Sequence, residues 1–144
     1  MSDRQERIEA HLIPRTLLGL ARGARKIVEV GVGDEFTVAL AFKAAAPHAE
    51  VLATDVRAEA LAHAPRDIVA VRDDVTRPTL SLYEGASLLY GVRLPEELQV
   101  PTARLARRVG ASFAARALKD EWADVTGSFP RVETAGGGWR VGRA

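Results

Sequence analysis

A carboxylate and two glycines stand at the end of an apolar run near the start of the chain. Residues 27–33 read IVEVGVG, so Glu29 lies two positions before Gly31, and Gly33 lies two positions after it. An apolar strand that ends in Gly-x-Gly and leads into a helical segment is how α/β proteins present backbone N–H groups to a nucleotide-like ligand. Because Gly-x-Gly is common by chance, the acidic residues around it decide which ligand it predicts.

Further acidic residues follow the next two predicted strands. Asp55 comes directly after the apolar run at 51–54, and Asp73 and Asp74 come after the run at 68–72. Ligands of parallel sheets bind beyond the carboxyl ends of the strands, so we expect these acids near the glycine turn. A carboxylate after the second strand can accept from both hydroxyls of a ribose, and one after the third can accept from the adenine amino group. Each acid taken alone also fits a local role, as a turn residue or a helix N-cap.

The charges at the start of the following helix distinguish two candidate ligands. A dinucleotide places its pyrophosphate at this helix N-terminus, but the segment begins Asp34-Glu35-Phe36, with phenylalanine in place of the third glycine of Gly-x-Gly-x-x-Gly. A carboxylate beside a phosphate is repelled by about 1–4 kcal/mol at contact range. S-adenosylmethionine has no phosphate and carries a net positive charge, which suits Glu29, Asp34 and Asp55. The acids therefore favour S-adenosylmethionine over a dinucleotide.

Apolar periodicity predicts the elements that position these residues. Predicted strands cover 27–30, 51–54, 68–72, 87–92 and 111–117, and predicted helices cover 36–46, 57–64 and 95–109. Pro101 predicts a turn before the main part of the last helix, and Pro14 interrupts an N-terminal helical segment at 3–22. A hairpin is predicted on either side of the glycines at 136–138. This order predicts one α/β domain over 1–144, with a mostly parallel sheet flanked by helices and a C-terminal antiparallel hairpin that supplies one antiparallel edge strand.

The composition excludes several classes of function. The 144 residues include no cysteine, which removes disulfides, thiolate nucleophiles and sulfur-ligated zinc sites. The formal net charge of +1 gives no general attraction to nucleic acid. No apolar run reaches the ~20 residues that span a bilayer, and the polar N-terminus is unlike a signal peptide, so we predict a cytoplasmic protein without a membrane partner. His11, His48 and His63 lack the spacing of metal ligands, so we predict no metal site.

These residues resemble the motifs of class I S-adenosylmethionine-dependent methyltransferases. Residues 29–33 look like the first motif, Asp55 like the ribose-binding acid, and Asp73 or Asp74 like the acid on the adenine side. The closer resemblance is to a small uncharacterised archaeal family of single-domain, methyltransferase-like proteins. It rests on the runs Val-Glu-Val-Gly-Val-Gly, Ala-Thr-Asp-Val (53–56), Arg-Asp-Asp-Val (72–75) and Tyr-x-x-Arg-x-Pro-x-Glu-Leu (90–98).

The resemblance covers about residues 25–118 and implies a Rossmann-like methyltransferase fold. It implies binding of S-adenosylmethionine through Glu29, Gly31, Gly33, Asp55, Asp73 and Asp74. Two positions depart from the general methyltransferase pattern. Glu35 replaces the third small residue of the first motif, and the Asn/Asp-Pro-Pro-Tyr sequence of amino-group methyltransferases is absent after the fourth strand.

Tyr90 and Arg93 follow the fourth predicted strand, at the edge where a methyl group would lie. Methyl transfer from a sulfonium is an in-line displacement that positioning alone can accelerate. We predict that Tyr90 lines the sulfonium or acceptor pocket, where an aromatic face attracts a cation. We predict that Arg93 binds an anionic group of the acceptor. The structural alternatives are that Tyr90 packs in the core and that Arg93 pairs with Glu96 or Glu97.

The sequence thus predicts an S-adenosylmethionine-binding protein that is a methyltransferase on a small or RNA acceptor. The alternative is a non-catalytic ligand-sensing or interaction module with the same fold, and the third candidate is an NAD-dependent oxidoreductase. We interpret Arg104, Arg107 and Arg108 as a solvated helix end in preference to an RNA contact. Trp122 and Trp139 fit core or dimer packing as readily as base stacking. The acceptor and the oligomeric state stay open at this point.

Overall fold

Helices and strands alternate along residues 13–144, the part of the chain that the computed structural model describes. The helices are α1 (Arg15–Ala21), α2 (Thr37–Ala45), α3 (Ala58–Leu61) and α4 (Glu96–Val109). The strands are β1 (Lys26–Val30), β2 (Glu50–Asp55), β3 (Val69–Arg72), β4 (Leu88–Leu94), β5 (Ser112–Ala117), β6 (Val132–Ala135) and β7 (Trp139–Gly142). Within 13–144, no helix has the length and apolar character that a membrane span requires.

The seven strands form a single sheet in the order β3-β2-β1-β4-β5-β7-β6. The first five strands in this order pair in parallel, and Glu29 of β1 lies opposite Ala53 of β2 and Tyr90 of β4. Strand β7 runs antiparallel to both of its neighbours, β5 and β6. The predicted α/β fold, with its mostly parallel sheet and C-terminal antiparallel hairpin, is confirmed.

The position of the antiparallel strand differs from the prediction. The sequence predicts an antiparallel strand at the edge of the sheet, but β7 lies inside and β6 forms the edge. Burial explains this arrangement, because Trp139 and Val141 of β7 are fully buried whereas Val132, Glu133 and Thr134 of β6 are exposed. The apolar strand takes the position in which both of its neighbours supply hydrogen bonds and packing.

The alternation of side chains along β1 separates two hydrophobic cores. Ile27 and Glu29 point to the face that α1 and α2 cover, where Leu17 and Phe42 are fully buried. Val28 and Val30 point to the opposite face, which α4 covers with Ala103, Leu105 and Ala106. The carboxylate of Glu29 is therefore directed into an otherwise apolar layer.

Helix α4 is continuous through Pro101, contrary to the turn that the sequence predicts there. A proline removes one backbone N–H, which would otherwise bond the carbonyl of exposed Glu97 near the start of the helix. Water can reach that carbonyl, and the buried face of α4 holds the helix against the sheet. Gly110 ends the helix at φ 78°, in the left-handed region.

The predicted helical segment at 3–22 is described from Ile13 onward. Pro14 directly precedes α1, whose Leu17 and Ala21 are buried. The fixed φ of proline suits the residue before a helix. Residues 3–12 of that prediction lie outside the described part of the chain.

An irregular segment at 118–131 connects β5 to β6. The buried amide of Gln99 holds it to α4, because Nε2 donates to the carbonyls of Leu94 (3.1 Å) and Glu121 (2.8 Å) while Oε1 accepts from the N–H of Ala123 (2.8 Å). Phe129 at the end of the segment stacks on Phe113 of β5, with ring centroids 6.0 Å apart. Val125 and Phe129 of this segment thereby become part of the hydrophobic core on the α4 side of the sheet.

We predict that Gly142→Ala destabilises the fold through the packing of Phe129. An added Cβ would lie 2.6 Å from Cγ of Phe129 and 2.8 Å from its Cβ, so β7 and the 118–131 segment would have to separate. Overpacking of this kind costs about 1–3 kcal/mol. Chemical denaturation measures the free energy of unfolding, and Gly127→Ala is the control because an added Cβ there meets nothing within 4 Å. Equal stability of the two variants would contradict the packing described here.

Candidate functional site

The glycine turn after β1 is attached to the end of β2. Gly31 (φ 66°) and Gly33 (φ 62°) both lie in the left-handed region, which favours glycine. The N–H groups of Gly31 and Val32 donate to the carbonyl of Thr54, at 2.9 and 3.1 Å. The two glycines therefore allow the chain to turn sharply where β1 and β2 end together.

Asp55 fixes the second half of this turn. Its Oδ2 accepts from the N–H of Gly33 at 2.8 Å, and its Oδ1 accepts from the N–H of Arg57 at 2.9 Å. The Arg57 guanidinium lies over the carboxylate, with Nε 3.6 Å from Oδ1, and Asp55 is buried. A carboxylate offers about four lone-pair sites, so Asp55 keeps acceptor capacity beyond these two backbone bonds.

The two acids that follow β3 have different environments. The N–H of Asp73 donates to the carbonyl of Asp55 at 3.1 Å, which places the two residues side by side at the sheet edge. The Asp73 carboxylate accepts from the hydroxyl of Tyr83 at 2.6 Å and from the N–H of Thr79 at 3.2 Å. Asp74 is exposed and accepts from the N–H (2.9 Å) and hydroxyl (2.7 Å) of Thr76, which lowers its pKa. Asp73 is thus held at the edge, and Asp74 closes a local turn.

Glu29 is a buried carboxyl group that Tyr90 contacts directly. The Tyr90 hydroxyl donates to Oε1 of Glu29 at 2.7 Å, and both side chains are almost entirely buried. Desolvation by burial raises the pKa of Glu29 to about 8, although the bond from Tyr90 opposes this shift. Phe42 packs on the Tyr90 ring with centroids 4.6 Å apart, and the Trp139 ring lies at 6.1 Å.

The start of α2 is capped by the chain's own carboxylate. Oε1 of Glu35 accepts from the N–H of Thr37 at 2.9 Å and also from its hydroxyl. The bonds from the Thr37 hydroxyl and N–H lower the pKa of Glu35, so this group is ionised at neutral pH. One of the N–H groups that a phosphate would use at a helix N-terminus already has a partner.

A cleft of about 320 Å³ opens at the carboxyl ends of β1 and β4. Of the predicted site residues, Glu29, Gly31, Gly33 and Arg93 line it. Its other lining residues are Val32, Asp34, Glu35, Val38, Arg57, Val92 and Leu118. Asp55 contacts Gly33 and Arg57 of this lining, and Asp73 bonds Asp55 in turn, but neither acid lines the cleft itself. The prediction that Tyr90 lines the pocket is not met, because Tyr90 is fully buried and is not part of the lining. The structure thus brings most of the predicted residues to one edge and leaves Asp74 in a separate turn.

Arg93 borders this cleft in a strained conformation. Its φ is 55°, and the pairing of β4 with β5 shifts register between Val92 and Leu94. Within 13–144, the non-glycine residues with positive φ are Arg93, Lys119 and Asp120, all at the ends of β4 and β5. Strained backbone of this kind concentrates at functional sites. In the described chain Arg93 forms no ion pair with Glu96 or Glu97.

Sequence reasoning did not identify Val56 and Arg57 as site residues. Val56 is 52% exposed directly after Asp55, and the Nε of Arg72 donates to its carbonyl at 2.9 Å. The sequence did contain a signal for Val56. An apolar residue directly after a strand-end acid lies in a loop and not in the core, so it could have been predicted as an exposed apolar surface beside the site. The contact of the Arg57 guanidinium with Asp55 depends on the path of the chain after β2, which the sequence does not reveal.

Two of the three histidines, His48 and His63, do not line this cleft. His48 and His63 are exposed on loops, and His11 lies outside the described residues. Across 13–144, no group of three His, Asp or Glu side chains has a geometry that could hold a metal ion.

Comparison with protein families identifies relatives of the chain. A family model described as an uncharacterised protein family (UPF0146) matches residues 10–139. A UPF0146 protein of Archaeoglobus fulgidus is 42% identical over 97 residues, covering 67% of this chain and 71% of that protein. One of Halobacterium salinarum is 35% identical over 123 residues, covering 85% of this chain and 92% of that protein.

Solved methyltransferase structures have the same fold. A structure described as a SAM-dependent methyltransferase from Aquifex aeolicus matches with a TM-score of 0.61 and 13% identity, over 96% of this chain and 94% of that one. TrmN from Thermus thermophilus matches with a TM-score of 0.59 and 19% identity, over 94% of this chain. The N-terminal domain of EvdMO1, solved with SAH bound, matches with a TM-score of 0.57 and 19% identity, over 80% of this chain. Our chain spans about half the length of the last two structures, 51% and 49%. At these identities the matches establish the fold alone.

We predict that Glu29 makes the stability of the protein fall as pH rises. Its pKa is about 8 in the folded state, whereas a glutamate in the unfolded chain has its ordinary pKa of 4.5. Between these two pH values the folded protein therefore holds a proton that the unfolded chain has released. The stabilisation is therefore complete below about pH 4.5 and is lost as pH rises through about 8. Glu29→Gln does not titrate, and its amide oxygen can still accept from Tyr90.

Chemical denaturation of both proteins from pH 5 to pH 9 measures this effect. The free energy of unfolding of the wild type, minus that of Glu29→Gln, should decrease by about 4 kcal/mol across this range. A difference that stays constant with pH would show that Glu29 is ionised in the folded protein throughout.

Proposed function

The chain belongs to the uncharacterised protein family UPF0146 and has the fold of class I methyltransferases, and from this premise we propose that its cleft binds S-adenosylmethionine. The observation that carries the proposal is the continuous edge formed by the glycine turn, Asp55 and Asp73. The glycine turn, Asp55 and Asp73 follow one another along this edge. The methionine, ribose and adenine of the ligand are joined in the same order. The SAH bound to the N-terminal domain of EvdMO1, a protein of similar fold, is consistent with this ligand class.

The methionine part of the ligand would lie in the 320 Å³ cleft over Gly31 and Gly33. The sulfonium and ammonium groups carry positive charge, and Glu29, Asp34 and Glu35 line this cleft. A cation beside Glu29 favours the ionised form of its carboxyl group, which burial disfavours in the ligand-free protein. Tyr90 acts as a positioning residue in this proposal, because its hydroxyl holds the Glu29 carboxyl in place.

The nucleoside part would extend past Arg57 to the ends of β2 and β3. The unused lone pairs of Asp55 can accept from the two ribose hydroxyls once the Arg57 side chain, which is 59% exposed, moves aside. The exposed side chain of Val56 offers an apolar surface for the adenine ring. Asp73 is the nearer of the two acids after β3, since its N–H bonds the carbonyl of Asp55.

The NAD alternative is disfavoured at the start of α2. A pyrophosphate needs free N–H groups there, whereas Glu35 already accepts from Thr37 and adds a negative charge. Asp34 is exposed beside it. A dinucleotide would have to displace one carboxylate and approach another.

Catalysis in this proposal rests on two effects: the in-line alignment of the acceptor with the methyl group, and the positive charge of the Arg93 guanidinium. Arg93 is exposed at the cleft, and its guanidinium can bind a carboxylate or phosphate of the acceptor. The acceptor itself would enter over the ends of β4 and β5.

The non-catalytic sensing module is the second candidate, and one observation favours it: the described lining of the cleft contains no histidine or tyrosine that could take a proton from the acceptor.

Titration calorimetry tests the ligand. We expect S-adenosylmethionine and S-adenosylhomocysteine to bind and NAD to give no heat under the same conditions.

We expect Asp55→Asn to weaken S-adenosylhomocysteine binding tenfold or more, because hydrogen bonds to a charged group contribute about 1.5–3 kcal/mol. The asparagine oxygen can still accept from the Gly33 N–H, whereas its amide nitrogen cannot accept from the Arg57 N–H. An unchanged unfolding midpoint of the variant would show that the loss of the Arg57 bond leaves the fold intact. Asp67→Asn is the control, since Asp67 is exposed two residues before β3 and does not line the cleft. Failure of the wild type to bind either S-adenosyl compound would refute the proposal.

Methyl transfer needs a separate experiment. Incubation of the protein with methyl-labelled S-adenosylmethionine and an extract of the source cells should label an acceptor. We expect Arg93→Ala to reduce labelling tenfold or more while the affinity for S-adenosylhomocysteine stays within twofold, because we assign the Arg93 guanidinium to the acceptor. A parallel loss of S-adenosylhomocysteine affinity would assign Arg93 to the cofactor instead, since Arg93 lines the same cleft. The exposed Arg66, which lies outside the cleft, provides the control variant Arg66→Ala. Binding of the cofactor with no labelled acceptor would support the sensing module instead.

A further inference from the structure

Two grooves flank the C-terminal half of α4, outside the edge that carries the cleft. The larger has a volume of about 740 Å³ and lies between α4 and the edge strand β6. The smaller has a volume of about 320 Å³ and lies between α4 and the segment after β3. Helix α4 forms the ridge between them, since Arg107 lines the larger groove while Arg104 and Arg108 line the smaller.

Positive charge is concentrated on the walls of these grooves. Their linings contain the arginines Arg104, Arg107, Arg108, Arg131 and Arg143, and a single acidic residue, Glu133. The whole chain has 20 lysines and arginines against 19 aspartates and glutamates, so this surface departs strongly from the average. Glu133 pairs with Arg143. The other four arginines are exposed and form no ion pair within residues 13–144.

The spacing of the arginines suits a chain of phosphates. Arg104 and Arg108 lie one helical turn apart, and Arg107 faces the other groove. Guanidinium groups bind phosphate oxygens bidentately, so a strand crossing the ridge meets donors on both sides. A solvated helix end needs cations only in its last turn, but Arg131 and Arg143 extend the positive charge from α4 onto the β-hairpin.

We propose that this arginine ridge, formed by Arg104, Arg107, Arg108, Arg131 and Arg143, binds single-stranded RNA through its phosphodiester backbone. The surface offers hydroxyl and carboxylate acceptors beside the arginines, at Thr76 in the smaller groove and at Glu133 in the larger. These groups can accept from 2′-hydroxyls, which DNA lacks. Aromatic stacking contributes little, because Phe129 is buried and the Trp122 ring is covered by the Arg140 guanidinium at 4.1 Å. The contacts are therefore largely independent of base sequence.

The proposal does not depend on the cofactor. The ridge lies toward the C-terminal end of α4, and parallel strands begin at that side of the sheet, whereas the S-adenosylmethionine cleft lies where they end. Binding of RNA and binding of S-adenosylhomocysteine can each fail without the other.

Fluorescence anisotropy with a labelled 15-nucleotide oligouridine tests the ridge. We expect the full chain to bind it with an affinity that falls linearly in logarithm with salt concentration. The triple variant Arg104→Gln, Arg107→Gln and Arg108→Gln should bind at least tenfold more weakly at 0.1 M salt. Its salt slope should fall by about 2, since each phosphate contact to a single strand contributes roughly 0.7. Glutamine is a good helix former, and an unchanged unfolding midpoint and S-adenosylhomocysteine affinity would confirm that the variant is folded.

A matched control removes the same charge from the other face of the sheet. Arg15→Gln, Arg22→Gln and Arg25→Gln replace three exposed arginines around α1, and we expect this variant to bind RNA like the wild type. An equal loss of affinity in the control would show that net charge alone governs binding and would overturn the ridge. Equal affinity for a 15-nucleotide oligothymidine, or equal competition by polyglutamate, would overturn the assignment to RNA. Absence of RNA binding by the wild type would do the same.

Discussion

The hydrogen bond from the Gly33 N–H to the Asp55 carboxylate is the constraint on which the ligand edge depends. It joins the turn after β1 to the end of β2, at a position where both glycines must adopt left-handed conformations. The direction in which the chain leaves this turn decides where α2 begins. It also brings the Glu35 carboxylate to the N–H of Thr37 at the start of that helix. The same carboxylate holds the N–H of Arg57, so the start of the segment after β2 is fixed by one side chain as well. A single acid thus fixes the turn that lines the cleft and is, in our proposal, the acceptor for the ribose hydroxyls.

Glu29 stands beneath this turn in a position that costs stability at neutral pH. Because burial raises the pKa of this carboxyl group to about 8, the ionised carboxylate of the unfolded chain must take up a proton when the protein folds at neutral pH, and this costs stability. Within the protein, the hydrogen bond from the Tyr90 hydroxyl stabilises the ionised form of this carboxyl group. The group also lines the cleft, where a bound cation could stabilise it further. An apolar residue would pack there without this penalty, as Ile27 does two positions earlier on the same face of β1. Strongly shifted pKa values concentrate at functional sites, and Glu29 lines the cleft in which we propose that a cationic ligand binds.

Local patterns in the sequence predicted most of this architecture. The strand that precedes the glycine turn and the acids after β2 and β3 were identifiable because strands, glycine turns and strand-end residues leave signals within a few positions. What the sequence could not reveal depends on contacts between distant segments. The pairing of Tyr83 with Asp73, the burial of Tyr90 and the interior place of β7 all follow from packing across the sheet. The sequence shows Arg104, Arg107 and Arg108 close together, but it does not reveal that Arg131 and Arg143 of the C-terminal hairpin lie beside them.

The crystal structure of the protein with S-adenosylhomocysteine tests the central claim most directly. We predict that the ribose hydroxyls lie within hydrogen-bonding distance of the Asp55 carboxylate, with the Arg57 side chain turned away from it. The homocysteine part should lie over Gly31 and Gly33, beside Glu29. A ligand bound elsewhere on the surface, or a cleft that stays unchanged with Arg57 against Asp55 at saturating ligand, would contradict the account.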